Sequence, residues 1–221
     1  MKLVTAIMPT RGRTEWARQA VACFQAQTYP NKELIVLDDI EEPSFGQGII
    51  VPNTLQFSYL KSSSRSIPIK RNQCCRAASG EIILHWDSDD WYAPERMADQ
   101  VQRLEESGKQ VTGYHSVLFY GESMKEDERL WKYYGSDRYA VGVSLAYTKA
   151  FWTRNQFPES IAVGEDNTFG RAALHAQQLI SVDGGKMIVA RIHDGNTAPK
   201  HAQGRQFRKV NRDDYPEAFF Q

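Results

Sequence analysis

The chain has 221 residues, long for one domain and short for two, and enough to bury a full core. Its 27 Lys plus Arg balance 27 Asp plus Glu, so overall charge steers it toward neither nucleic acid nor an anionic membrane. Three cysteines, Cys23, Cys74 and the adjacent Cys75, suit neither a disulfide framework nor paired zinc knuckles, and they read as reduced, packed thiols.

Lys2 to Met8 reads as a buried strand, and Trp16, Ala17, Ala20, Val21 and Phe24 recur at helical spacing over 14–27. Leu34 to Leu37 is a second apolar run ending in Asp38 and Asp39, and Phe57 to Leu60 a weaker third behind a Gly- and Pro-containing loop. Ser66 and Pro68 supply a cap and a first-turn proline for a helix through Cys75, ended by Gly80. Ile82 to Trp86 is the fourth strand; Pro94 then opens a helix through Met97, Val101 and Leu104 that stops at Gly108. This alternation predicts a mostly parallel sheet with helices on its faces and ligands beyond the carboxyl ends of the strands.

The second half is less regular. Strand-like runs lie at Val111 to Tyr120, Val141 to Tyr147 and Met187 to Ile192, with a helix over Asn167 to Gln177. From Asn196 onward Lys200, His201, Arg205, Arg208, Lys209 and Arg212 mix with few apolar residues until Phe219, the pattern of a mobile or partner-ordered basic tail. No stretch approaches the roughly 20 apolar residues of a membrane span, so a cytoplasmic protein, free or peripheral to a membrane, is expected.

Two strands deliver carboxylates to one edge of the sheet: Asp38 with Asp39, and Asp87 with Asp89 and Asp90. Any one of them could cap a turn or a helix, Asp90 that of the helix near Pro94. Together they need a cation or hydrogen-bond donors nearby. A D-x-D after a strand suits a hard divalent ion bridging a diphosphate, one carboxylate ligating directly and the other through water. Pro9, Thr10 and Arg11 add a turn with a cation, and Lys70 with Arg71 lies on the helix before the acidic strand. No GxxxxGK[ST] loop or GxGxxG turn accompanies them.

MPTRGR, QTYPNKELIVLDD, KRNQCCRAASGEIILHWDSDDW, VGVSLAYTKAFW, GEDNTFGRAAL and ARIHDGNT follow one another over roughly residues 2 to 197. In order and spacing they resemble family 2 of the glycosyltransferases, the inverting enzymes of the GT-A fold. The resemblance implies an α/β, Rossmann-like, mostly parallel mixed sheet flanked by helices. It implies one domain over 1–197, with a donor half to about 110, an acceptor half over about 111–197, and the basic tail 198–221 outside it.

The same resemblance implies roles. Thr10 and Arg11 look like the loop flanking the nucleotide base, Asp39 like the acceptor of a uracil imide proton, and Arg71 like a donor-nucleotide contact; Pro9 and Ser88 join that donor set. Asp87 and Asp89 look like the D-x-D, with Asp89 the more direct ligand of a Mn²⁺ or Mg²⁺ ion and His193 completing the metal or diphosphate site. Asp166 resembles the catalytic base; Glu165 with Asp166 also suits the acidic first turn of a helix. The implied reaction moves one sugar from a nucleoside-diphosphate sugar, UDP favoured, to an acceptor hydroxyl.

Arg11 stands where the family often has an aromatic residue, and no Q-x-x-R-W follows, GRQFRKV being only a faint echo. That pattern points to single transfer rather than processive synthesis. The acceptor is expected between Tyr114 and Tyr139, where Trp131, Tyr133 and Tyr134 suit a glycan, a lipid-linked sugar or a base. A hydroxylated DNA base held by Lys200, Arg205, Arg208, Lys209 and Arg212 is the narrower alternative. Rival functions are a nucleotidyltransferase, which would carry a Gly-rich basic loop after the first strand, a D-x-D phosphohydrolase, and an inactive nucleotide-sugar or nucleic-acid binding module.

Overall fold

Every residue of the first strand, Val4–Thr10 (β1), is buried, because helices cover both faces of the sheet there and no position alternates out to water. The computed structural model describes residues 1–11, 14–39, 56–196 and 204–220. After β1 come the helix Thr14–Gln25 (α1), the strands Lys32–Asp38 (β2) and Gln56–Lys61 (β3), the helix Ile67–Ala77 (α2) and the strand Ile82–His85 (β4). Strands β4, β1, β2 and β3 lie side by side and parallel, with Ala6 opposite both Leu34 and Leu84.

The second half adds Trp91–Tyr92 (β5), the helix Arg96–Ser107 (α3), and the strands Val111–Gly121 (β6), Leu130–Tyr134 (β7) and Ala146–Thr148 (β8). The helices Lys149–Arg154 (α4) and Glu165–His175 (α5) and the strands Leu179–Asp183 (β9), Ile188–Ile192 (β10) and Phe207–Lys209 (β11) complete it. The sheet runs β11-β7-β6-β8-β4-β1-β2-β3, with β8 antiparallel to both β4 and β6. It is mixed, parallel through the first half and largely antiparallel beyond β4.

Two apolar clusters clamp it. Val4, Ala6 and Met8 of β1 face Ala17, Ala20, Val21 and Phe24 of α1, with Met97, Val101 and Leu104 of α3 in the same cluster. Ile7 faces the other way, with Cys74 and Cys75 of α2, Phe151 and Trp152 of α4, and Phe169 and Ala173 of α5. All three cysteines are free and buried. Trp86 is fully enclosed in the first cluster; its indole N–H reaches the Ala20 carbonyl at 2.9 Å and its ring lies 4.0 Å from that of Tyr92.

Several sequence expectations change. Val141 to Tyr147 is not one strand but a 3-10 turn, Gly142–Ser144, followed by β8, because buried side chains take up the turn's carbonyls. Ser66 stands at the N-cap of α2 without a side-chain cap bond, and the helix ends at Ala77, before Gly80. Gly108 does close α3, in the left-handed region at φ 64°.

The mobile tail is corrected for residues 204–220. β11 pairs antiparallel with β7, Tyr215 and Phe219 are buried, and the Tyr215 hydroxyl donates to the carbonyls of Phe119 and Trp131 while accepting the Trp131 N–H at 3.0 Å. Aromatic residues spaced too widely to look like a core segment dock separately on β6 and β7. Lys200 and His201 lie outside the described residues. Replacing the hydroxyl by hydrogen strands the Trp131 N–H, so Tyr215→Phe should lower unfolding free energy by about 1–3 kcal/mol in urea titration; an unchanged midpoint would mean the tail does not dock.

Candidate functional site

Parallel strands point their carboxyl ends to one side, and there a ligand meets the loops rather than the packed faces. β1 ends in Pro9 and Thr10, β2 in Asp38 followed by Asp39, and β4 leads into Asp87, Ser88, Asp89 and Asp90. A cleft of about 220 Å³ opens at this edge, lined by Pro9, Arg71, Asp87, Ser88 and Asp89 from the first half and by residues 162–167 and Asn196 from the second.

Arg71 joins the two halves. Carried on α2 and buried, its guanidinium forms an ion pair with Glu165 and stands 3.4 Å from Asp87. Burial works against its charge, but Asp87, Glu165 and Asp166 outweigh it and hold the arginine pKa above its ordinary value. Burial pushes the Glu165 carboxyl up while Arg71 pulls it down. Glu165 opens α5, where the helix dipole favours acidic residues, and Asp166 follows it at the cleft with its Oδ1 accepting the Asn167 N–H at 2.7 Å.

Asp89 and His193 form a second centre. The imidazole Nε2 lies 2.9 Å from Asp89 Oδ2, the Gly195 N–H donates to Nδ1 at 3.1 Å, and the Trp16 ring lies 4.2 Å from the imidazole. Asn196 Nδ2 also lies 3.1 Å from Nε2. Asn196 holds the backbone N–H of His193 through its Oδ1 and places its amide nitrogen 3.4 Å from Asp89. Arg191 supports this centre from below: it donates to the Asp89 carbonyl at 2.8 Å, to Glu122 at 2.7 Å and to the Gln19 amide oxygen.

Asp90 does not cap the helix near Pro94. Its Oδ1 accepts the Arg191 backbone N–H at 2.8 Å, and Glu95 stands at the N-cap of α3 instead. Among the described residues no group of three or more His, Cys, Asp or Glu is placed to hold a metal by itself. Asp89 with His193 offers two ligands, which fits an ion that takes its remaining ligands from a diphosphate and water.

The base-loop candidates lie along the same edge. Thr10 donates to the Ser88 hydroxyl at 3.0 Å, Lys70 donates to the Thr10 carbonyl at 3.1 Å, and the Lys70 ammonium stands 3.3 Å from Asp39. Asp39 Oδ1 is ion-paired with that ammonium, while its buried Oδ2 has no hydrogen-bond partner among the described residues, which leaves Oδ2 as the acceptor for a donor group brought by a ligand. Neighbouring Asp38 accepts the Tyr59 hydroxyl at 3.2 Å, and burial together with that carboxylate pushes the phenol up to about 12. Arg11 is exposed.

Residues 5–156 match glycosyl transferase family 2. The chain belongs to this family. An uncharacterized glycosyltransferase of Rickettsia conorii is 24% identical over 179 residues, 74% of this chain and 28% of that protein. The putative colanic acid biosynthesis glycosyl transferase WcaA of Escherichia coli is 30% identical over 99 residues, 43% of this chain and 36% of the relative. The chain thus spans about a third or less of these family 2 relatives.

Solved structures share the GT-A fold. Staphylococcus aureus TarS 1-349 with UDP-GlcNAc superposes at a TM-score of 0.72 with 19% identity, covering 88% of this chain and 60% of that one. The mannosyltransferase PcManGT of Pyrobaculum calidifontis with GDP-Man and Mn²⁺ gives 0.69 with 15% identity, over 89% and 59%.

Several residues at this edge were not singled out by sequence. Arg191 carries a signal, a charge inside an otherwise apolar strand, and Asn196 sits in the HDGNT run; Trp16 reads as core helix face until the fold sets it against His193. Removing Arg71 strands the Glu165 carboxylate in a buried setting. Arg71→Met is expected to lower stability by about 3–5 kcal/mol in chemical denaturation, and Arg71→Met with Glu165→Gln to recover most of it; equal losses in both would show that Glu165 is not the partner that matters.

Proposed function

We propose that this chain is a metal-dependent inverting glycosyltransferase that moves a single sugar from a nucleoside-diphosphate sugar to an acceptor hydroxyl. The observation that carries the reading is the division of acidic groups at one cleft: Asp89 with His193 from one set of loops, Asp166 from the start of α5. Inversion requires such a division, because the acceptor enters on the face of the anomeric carbon opposite the departing diphosphate.

Each group has a task in that reaction. Asp39, through its buried and unpartnered Oδ2, receives an imide N–H of the base, which favours uracil; Pro9 and Thr10 at the end of β1, with the following Arg11, frame it. Arg71 and Ser88 hold the donor side of the cleft, and Arg71 keeps Asp87 oriented. Asp89 and His193 would hold a divalent ion, Mn²⁺ or Mg²⁺, which when bound supplies Lewis-acid stabilisation of the diphosphate. The acceptor oxygen bonds to the anomeric carbon as the carbon–oxygen bond to the diphosphate breaks, the bonding pair leaves with the nucleoside diphosphate, and the acceptor proton passes to the Asp166 carboxylate. That carboxylate need not ionise the alcohol beforehand, since the alcohol becomes acidic as its bond to carbon forms.

The donor half is residues 1 to about 110 and the acceptor half about 111–197, with Trp131, Tyr133 and Tyr134 as candidate stacking surfaces. A glycan or lipid-linked sugar is favoured over a DNA base. Arg208, Lys209 and Arg212 lie over the rings of Tyr134, Trp131 and Phe220 at 5.0, 5.6 and 4.2 Å, and the chain has no net charge.

Thermal stabilisation and donor hydrolysis across UDP-, GDP- and dTDP-sugars, each with Mn²⁺, with Mg²⁺ and with chelator, test the reading; no response to any of them would sink it. Asp89→Asn should abolish the metal-dependent part of the shift. Asp166→Asn is expected to keep donor affinity and lose about 10²–10⁴-fold in turnover, whereas turnover near wild type would remove Asp166 as the base.

A further inference from the structure

The 3-10 turn Gly142–Ser144 is held more firmly than a surface turn requires. Each of its three carbonyls accepts a hydrogen bond from a fully buried side chain: Gly142 from His85 Nδ1 at 2.8 Å, Val143 from Arg96 at 2.9 Å, and Ser144 from Gln100 at 2.6 Å. Burial holds the His85 pKa well below its ordinary value, with the Arg71 charge adding to the effect, so His85 stays a neutral donor through Nδ1. The Ser144 hydroxyl is a fourth tie: it accepts the Tyr114 N–H at 2.7 Å and donates to the Val141 carbonyl at the same distance. The turn cannot shift without breaking these bonds and stranding a buried carbonyl or its donor.

The upper side of this turn meets Asp166. A Cβ placed on Gly142 would fall 1.6 Å from Asp166 Oδ2, 2.6 Å from its Cγ and 3.0 Å from its Cβ. The helix that carries Asp166 has little room to retreat either, because Phe169 one turn on is buried against the rings of Phe157 at 4.8 Å, Tyr147 at 4.7 Å and Phe151 at 5.3 Å. With both backbones fixed, any side chain at 142 must displace the carboxylate itself.

We propose that the turn is a platform that sets the position of the Asp166 carboxylate, with Gly142 as a positioning residue that only hydrogen at Cα allows. The inference rests on Asp166 being the base. Its chemical logic is that proton acceptance depends on placement to within about 1 Å, a misplacement of that size costing about a hundred-fold.

The test combines three variants and two readouts. In UDP-GlcNAc hydrolysis with Mn²⁺, Gly142→Ala is expected to lose about a hundred-fold in kcat with UDP affinity by calorimetry unchanged, and to lose nothing further in an Asp166→Ala background. Gly170→Ala, on the same helix with nothing within 4 Å of the added methyl, should stay within about two-fold. In thermal unfolding, most of the stability Gly142→Ala loses should return in Gly142→Ala/Asp166→Ala, since removing the carboxylate removes the two contacts below 3.0 Å and leaves only the Asp166 Cβ at 3.0 Å; this arm reads out even if the single variant folds poorly. Instability undiminished in the double variant overturns the proposal. So does a Gly142→Ala enzyme within about three-fold of wild type while Asp166→Asn is inactive, an outcome that leaves Asp166 as the base; an active Asp166→Asn removes the base reading and this proposal with it.

Discussion

One buried cation organises this molecule. Arg71 is separated from Asp87 by 16 residues and from Glu165 by 94, and its guanidinium brings them to a single point in the cleft wall. A guanidinium without partners at that depth would cost several kcal/mol, and so would the buried Glu165 carboxylate. Each half therefore stabilises the other: α2 cannot seat Arg71 unless the start of α5 delivers Glu165, and the D-x-D loop gains a fixed donor at Asp87. The two walls of the cleft are held in register by charge at a place where loop backbone alone would leave them free to drift.

A second buried arginine performs the same service lower down. Arg191 reaches Gln19 on α1, Glu122 after β6 and the Asp89 carbonyl, while its backbone N–H is held by Asp90 and its guanidinium lies 5.0 Å from the Phe219 ring. The docked C-terminal segment thereby covers the residue that supports Asp89. Around Asp166, the proposed base, the support is the pinned turn beneath it. These candidate groups, each on a loop or helix end, rest on buried polar networks, an arrangement suited to holding charge in one geometry.

Much of the fold was legible in one dimension. Continuous apolar runs before Thr10, Asp38 and Asp87 marked strands covered on both faces, and the intervening helical periodicity demanded a parallel crossover sheet. The legible part of the site was the set of carboxylates at the strand ends, because strand direction alone places those on one edge. Illegible were β7, β9 and β11, which are short, carry charged residues and exist through pairing with β6 or with one another. The tail misled for a related reason: Phe207, Tyr215 and Phe219 are too far apart to show a period, and each docks on a surface that other segments build.

By itself the sequence determined the alternating architecture, the acidic edge and the membership of residues 5–156 in glycosyl transferase family 2, since these depend on local pattern and on order along the chain. Only the tertiary structure decided what each charge does. Asp90 holds a backbone N–H of β10 rather than a helix end, Glu165 neutralises Arg71, and Gly142 lies under Asp166. Those assignments depend on which buried polar groups find partners across 16 to 101 residues of chain, and no local period carries that information. The desolvation cost of leaving any of them unpaired selects one arrangement, and that selection acts only in the packed molecule.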